Sequence, residues 1–392
     1  MHTGGSFHFQ KRRIAGLVIL LIILTALLLH YLLFFVVVWI GLRKEKLDRS
    51  QENSTSSTGF EVSVIIAFRN EAHNLPKILD DIKKLENPGT PVEVIFVNDH
   101  STDDWHKFRE RMEDSPQIRF LEQKEGVSGK KRAIELGVAN ARGEIIFLTD
   151  ADCRLPEKWI TSLLKAFDEE TGFVAGGVKY AESSRFFEKF QAYEFGGLML
   201  CDAGLAAAGM PVVCSAASMA FRKGLFYEAE GYTSSIQLAS GDDEFLMRAI
   251  HRLGYKVKFI LNEEAIVTTS PNRDLKSFAN QRGRWASKGL HYENKALIAF
   301  LFLIFLFYLS LILSPVFIYY FGMPVLLWFL IAMFLKTAIE YLVLRKGNGL
   351  LYGKLNPFLF PVMEVFQVPY IVFSAFKGLI GGFKWKEREY RR

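Results

Sequence analysis

The chain has 392 residues, half of them apolar, and a formal net charge of +6. That length suggests two or three domains. Three Cys without a CxxC pair exclude a disulfide framework, give no zinc pattern and favour a reducing compartment. The basic residues collect beside apolar segments, at Lys11-Arg12-Arg13, Arg43-Lys44-Glu45-Lys46, Arg345-Lys346 and the 384–392 tail. Such clusters fit attraction to anionic lipid, so nucleic-acid binding is a poor account of the charge.

Ile14 to Ile40 carries no Lys, Arg, Asp or Glu. A membrane-crossing helix needs about 20 apolar residues, whereas a signal-peptide core has only about 7–15. Arg43 and Lys44 then close the run like a stop-transfer flank. Residues 1–50 are therefore expected to form a retained transmembrane anchor. The polar 51–59 stretch, QENSTSSTG, reads as a linker.

From Phe60 the pattern changes. Val62–Ala67, Val92–Val97, Ile118–Leu121 and Ile145–Leu148 are β-branched or apolar runs of strand length. Between them, Leu75, Ile78, Leu79, Ile82 and Leu85 recur at helical spacing, with Asn74 before Pro76 as a start signal, and 130–140 reads as a second helix. Strand and helix in this rhythm predict an α/β domain over 60–292 with a mostly parallel sheet and helices on both faces. Ligands bind beyond the carboxyl ends of such strands. Those exits are Arg69-Asn70-Glu71, Asn98-Asp99-His100-Ser101-Thr102-Asp103-Asp104 and Thr149-Asp150-Ala151-Asp152, all polar.

Asp150 and Asp152 point the same way from an extended segment. Paired carboxylates repel unless a cation lies near them, and oxygen ligands suit Mg²⁺ or Mn²⁺ bound beside a diphosphate. A solvated acidic turn would look the same. Further on, Ser240-Gly241-Asp242-Asp243-Glu244 precedes Phe245, Leu246, Ala249, Ile250 and Leu253 at helical spacing. Acids there suit the helix dipole, and one would also be well held as a general base. Gln281-Arg282-Gly283-Arg284-Trp285 follows. It fits either a basic juxtamembrane helix with an interfacial Trp or a site in which Arg284 approaches a diphosphate and Trp285 lines the sugar or acceptor.

Residues 293–392 are expected to form a C-terminal membrane region with a basic tail. Ala296–Tyr320 and Val325–Leu344 read as spans around a Phe321-Gly322-Met323-Pro324 turn. In the second, Lys336 and Glu340 can pair four residues apart. The third stretch, Pro357–Leu379, holds three prolines and Glu364. Lost backbone donors and a charge in hydrocarbon are costly, so it is expected to re-enter or lie in the interface.

Taken together, VSVIIAFRNE, VNDHSTDDW, GVSGKKRAIELG, TDAD, GDDEFLMRAIHRLGY and QRGRW resemble, in order, the motifs of the family 2 glycosyltransferases, inverting enzymes of the GT-A fold. The likeness covers roughly 60–290, and the flanking apolar segments suit membrane-integrated members. It implies a Rossmann-like nucleotide-sugar domain with one N-terminal and two to three C-terminal transmembrane or interfacial helices. It places Asn70, Glu71 and Asp99 in the nucleotide pocket, with Asp99 recognising the base, and directs Lys130 toward ribose or phosphates. Asp150 would contact the nucleotide-sugar, and Asp152 would ligate a divalent cation with Asp150. Asp243 would be the general base and Asp242 would take the family's usual Glu position, with a one-residue exchange left open. Gln281, Arg284 and Trp285 would close over donor and acceptor. Residues 214–222 resemble an acceptor-side segment, or are plain core.

The implied activity is inverting transfer from a nucleoside-diphosphate sugar to a lipid or lipid-linked acceptor. Gln-x-x-Arg-Trp is also familiar from processive polysaccharide synthases, the main alternative; a catalytically dead nucleotide-sugar-binding membrane protein is the alternative of another class. The expected location is a bacterial inner membrane with the catalytic domain in the cytoplasm, although Lys11-Arg12-Arg13 would then lie outside, against the positive-inside tendency.

Overall fold

The computed structural model describes residues 3–51, 60–112, 115–233, 241–380, 383–385 and 388–390. The expected linker beyond Gln51 lies outside them. The chain divides into two compact units. One comprises residues 37–275 and 346–355, the other residues 1–36, 276–345 and 356–392. Helix α1 (Thr3–Gln51) contributes to both.

In the sheet unit the elements follow the predicted alternation. They are β1 (Val62–Phe68), α2 (Leu75–Ile82), β2 (Val92–Asn98), α3 (His106–Glu110), β3 (Ile118–Glu122), α4 (Lys130–Asn140), β4 (Ile145–Leu148) and α5 (Trp159–Leu164). Then come β5 (Thr171–Gly176), β6 (Val178–Tyr180), α6 (Phe186–Ala207), β7 (Met219–Arg222), α7 (Lys223–Glu228), α8 (Glu244–Arg252), β8 (Lys256–Ile260) and β9 (Val267–Thr269). β1 and β4 are apolar on both faces because both faces are covered, and all four residues of β4 are buried.

The main sheet runs β3-β2-β1-β4-β7-β5-β8, with β6 and β9 forming a separate parallel pair. Strands β1 to β4 pair in parallel, as expected. β7 departs from that pattern, running antiparallel between β4 and β5. Leu148 therefore faces Met219, so the residues entering β7 travel beside those leaving β4. In residues 214–222, Met219, Ala220 and Phe221 are core and Cys214, Ala216, Ala217 and Ser218 are buried as well, with the backbone of Ala217 meeting the β4 exit.

The other unit holds α1 up to Val36, nearly all of α9 (Leu275–Ala286), α10 (Lys295–Phe321), α11 (Met323–Leu344) and α12 (Leu359–Ile380), followed by β10 (Phe383–Trp385) and β11 (Arg388–Tyr390). Four helices among the described residues are long and apolar enough to cross a membrane: Gln10–Lys44, Lys295–Phe321, Met323–Gly347 and Leu359–Leu379. Gly322, at φ +74°, turns the chain between α10 and α11.

The structure lowers two of the costs counted against a membrane crossing by 357–379. Pro357 precedes α12 and Pro361 lies in its first turn, where no intrahelical donor is lost, so only Pro369 is internal. Glu364 is buried against Lys336, which also bonds Gln367 at 2.6 Å and Glu340 at 2.6 Å. Tyr31 of α1 donates to Glu340 and lies 3.1 Å from the Tyr308 hydroxyl of α10. One polar cluster thus draws on all four apolar helices, and the charge expected to bar α12 from hydrocarbon has a partner.

Candidate active site

The β1 and β2 exits are tied together by short bonds centred on Asn70. Asn70, just past β1, adopts φ +53°, a left-handed conformation that Asn accepts more readily than most residues. Its amide donates to Ser101 Oγ at 2.9 Å, and its Oδ1 accepts the Thr102 amide at 2.8 Å. Glu71 accepts Asn74 Nδ2 at 2.7 Å, next to the start of α2. Asp99 is buried; its carboxylate accepts the Gly129 amide at 3.1 Å, and its carbonyl accepts Arg69 Nη1 at 2.8 Å. These expected nucleotide-pocket residues are therefore brought together, and each also holds a loop in place.

At the third exit, Thr149 Oγ1 donates to the Ala217 carbonyl at 2.8 Å, fixing the β4 tip against the β7 approach. Arg154 grips Asp81 of α2 with two bonds, Nε to Oδ2 at 2.6 Å and Nη2 to Oδ1 at 2.7 Å. Between these anchors sit half-buried Asp150 and exposed Asp152. Ligand atoms of Asp150, Asp152 and Cys153 lie within 4.8 Å of one another.

Burial, with Asp150 and Asp152 alongside, pushes the Cys153 thiol well above its ordinary value. Asp150 and Asp152 offer carboxylate oxygens, which suit a hard cation such as Mg²⁺ or Mn²⁺. The two aspartates fit the expected metal.

Lys130, the first residue of α4, reaches into the same place. Its Nζ lies 2.7 Å from Asp150 Oδ1 and 2.9 Å from Asp242 Oδ2. Burial alone would lower this ammonium, but the two carboxylates hold it above its ordinary value. Burial alone would raise Asp242; Lys130, with Lys131 behind it, holds the carboxyl below its ordinary value.

Asp243 is the N-cap of α8. Its carboxylate accepts the Glu244 amide at 2.8 Å and the Ala216 amide at 3.2 Å. The acid motif is thus bound to the β4 exit twice, through Lys130 and through the 216–217 backbone.

The sequence signalled Lys130 and both aspartates, but not that Lys130 pairs with Asp242. It gave no hint that the Ala216 amide and Ala217 carbonyl brace the site, since backbone groups leave no mark in residue identity.

Gln281, Arg284 and Trp285 lie in α9, which belongs to the membrane-helix unit. There Arg282, buried at 4 % exposure, donates from Nη1 to Gln281 Oε1 at 2.5 Å. Its guanidinium lies 4.6 Å from the Phe278 ring centroid and 4.2 Å from that of Trp285.

Residues 63–225 match the model of Glycosyl transferase family 2, and residues 145–341, half of the chain, match that of Glycosyl transferase family group 2. The chain belongs to the family 2 glycosyltransferases. Among its relatives in that family is a beta-monoglucosyldiacylglycerol synthase of Synechocystis sp., 27 % identical over 242 residues, covering 58 % of this chain and 48 % of the synthase. A probable glycosyltransferase of Bacillus subtilis, YdaM, is 25 % identical over 253 residues, 61 % of this chain and 58 % of that one. The chain spans about half the length of the synthase it matches.

As a family 2 glycosyltransferase it also shares the GT-A fold with the mannosyltransferase PcManGT from Pyrobaculum calidifontis, solved in complex with GDP-Man and Mn²⁺. The TM-score is 0.56 at 20 % identity, over 91 % of this chain and 98 % of that one.

Proposed function

We propose that this family 2 glycosyltransferase moves one sugar from a nucleoside-diphosphate sugar to a hydroxyl of a lipid or lipid-linked acceptor, with inversion, on the cytoplasmic side of a cell membrane. The observation that carries the reading is Lys130, which holds Asp150 of the strand exit and Asp242 of the α8 motif on one ammonium. A residue expected to touch the donor and the motif expected to hold the base are thereby parts of one site. The lipid acceptor is supported by the similarity to the glucosyldiacylglycerol synthase and by the four apolar helices.

In this reading Asn70, Glu71 and Asp99 line the nucleotide pocket, and Asp99 recognises the base. Lys130 releases part of its contact with Asp150 to the donor's phosphates. A divalent cation held by Asp150 and Asp152 would supply positive charge next to the leaving diphosphate. Asp243, its direction fixed by the Ala216 and Glu244 amides, takes the proton of the acceptor hydroxyl as that oxygen attacks the anomeric carbon. The bond from that carbon to the diphosphate breaks on the opposite face, which inverts the configuration. Gln281, Arg284 and Trp285 close over donor and acceptor, and Arg284 meets the leaving charge.

The test is incubation of the full chain in diacylglycerol-containing micelles with UDP-glucose or GDP-mannose and Mn²⁺. A glycosylated lipid of inverted anomeric configuration is expected. Asp152→Asn should abolish its formation and the EDTA-sensitive part of donor binding. Near-native turnover of that variant in EDTA would overturn the metal assignment, and a growing polymer would favour processive synthesis.

A further inference from the structure

Gln281, Arg284 and Trp285 share one face of a 12-residue helix, and something must set where that face stands. In the membrane-helix unit α9 rests on the C-terminal half of α12, and the approach is too close for side chains. A Cβ added at Gly378 would lie 2.8 Å from Ala286 Cβ, 2.8 Å from the Ser287 amide nitrogen and 2.9 Å from the Gly283 carbonyl oxygen. A Cβ at Gly283 would lie 3.1 Å from both Cγ and Cδ of Lys377, so the lysine stem covers that glycine.

Two further contacts fix the register. Lys377 Nζ donates to Asn280 Oδ1 at 2.7 Å, and the Tyr370 ring lies 5.4 Å from that of Phe278. Phe278 in turn carries the Arg282 guanidinium, which also meets Trp285 and whose Nη1 holds Gln281. The path therefore runs without a gap from α12 to two motif side chains. Arg282, one of the two positions that Gln-x-x-Arg-Trp leaves unspecified, is its strut.

We propose that α12 is the seat that positions the Gln281–Trp285 motif, with Gly378, Lys377 and Arg282 as positioning residues. The seat makes the last apolar helix part of the catalytic apparatus rather than only an anchor. A helix packed at this distance has no slack, so a displacement of a few tenths of an ångström at α12 passes to α9. The functional half rests on the proposed role of Arg284 and Trp285.

Two measurements on the full chain in detergent test it. Amide hydrogen exchange across 278–286 should speed at least tenfold in Gly378→Val, with exchange in β1, β2 and β4 unchanged. With UDP-glucose or GDP-mannose, Mn²⁺ and diacylglycerol, kcat should fall at least tenfold while donor KM stays within threefold. Gly378→Ala should be milder, and adding Ala286→Gly, which removes one of its three close contacts, should restore part of the loss in both readouts. Lys377→Met keeps the stem but not the bond to Asn280. It should show a smaller shift of the same kind, and it serves if the valine variant fails to fold.

Native exchange in α9 of Gly378→Val, or no recovery on adding Ala286→Gly, would overturn the seat. If Arg284→Ala and Trp285→Ala leave turnover unchanged, the motif's role falls, and the exchange data still judge the seat.

Discussion

The Lys130 ammonium meets the Asp242 carboxylate at 2.9 Å, joining the start of α4 to the acid motif before α8. The same nitrogen bonds Asp150 at 2.7 Å, so one cation balances two carboxylates from distant parts of the chain. Lys130→Met should leave both acids without it. A lost charge-assisted bond to a buried group costs about 1–3 kcal/mol, so thermal unfolding should shift down and turnover should fall roughly tenfold to a hundredfold. Lys130→Arg should recover part of the stability. An unfolding midpoint unchanged by Lys130→Met would show that the bridge carries no net stabilisation.

Asp243→Asn separates capping from base chemistry. Asn caps helices about as well as Asp, so α8 should keep its start. An amide nitrogen cannot accept the Ala216 N–H that the second carboxylate oxygen now holds, so unfolding should shift down by about 1 kcal/mol. Turnover should drop by at least about 10²-fold, the scale of a lost general base, with donor affinity little changed. Asp242→Asn should be milder in turnover but should weaken the Lys130 bridge. If the two variants rank the other way in turnover, the base is Asp242.

Asp168 gives a pH test away from the site. Burial alone would raise its carboxyl, but bonds from Thr171 and Lys258 hold it down at about 2. Thr171 Oγ1 lies 2.6 Å from Oδ1 and Lys258 Nζ 2.9 Å from Oδ2. Because the folded value is depressed below the ordinary 3.8, the contribution is fully present above about pH 4 and is lost as pH falls through about 2. Acid unfolding of Asp168→Asn should be less steep in that window than that of the native chain. Superimposable acid-unfolding curves would reject the assignment.

Lys336 is fully buried between Glu340 and Glu364. Removing one partner of a buried ion pair typically costs about 3–5 kcal/mol, because the remaining charge is stranded. Lys336→Met should therefore lower thermal stability in detergent sharply, and Lys336→Met combined with Glu364→Gln should be less damaged than the single variant. Equal stability of the two would mean that Glu364 is already neutral without its partner.

The residues of β1, β2 and β4 made the parallel half of the sheet legible, because strands covered on both faces are largely apolar. β7 was not legible. Its four residues lie in a stretch that read equally as core or as an acceptor-side segment, and an antiparallel insertion depends on partners 71 positions away, as in Leu148 with Met219. The pairing of Glu364 was not legible for a related reason. The sequence shows a charge in an apolar run, but its compensation comes from Lys336 on another helix.

Local chemistry decided by itself what could be read from neighbours along the chain. It set the apolar spans, the polar strand exits, the paired carboxylates Asp150 and Asp152, and the acids before α8. Those features arise from residue type and spacing, which short-range sterics and hydrophobicity translate directly into helix, strand and turn. Only the tertiary structure decided which charges meet. Lys130 chose Asp150 and Asp242, Asp243 chose the Ala216 amide, and α12 offered Gly378 to α9. Such choices follow from where the packed sheet and helices bring their ends, and no spacing within a segment encodes them.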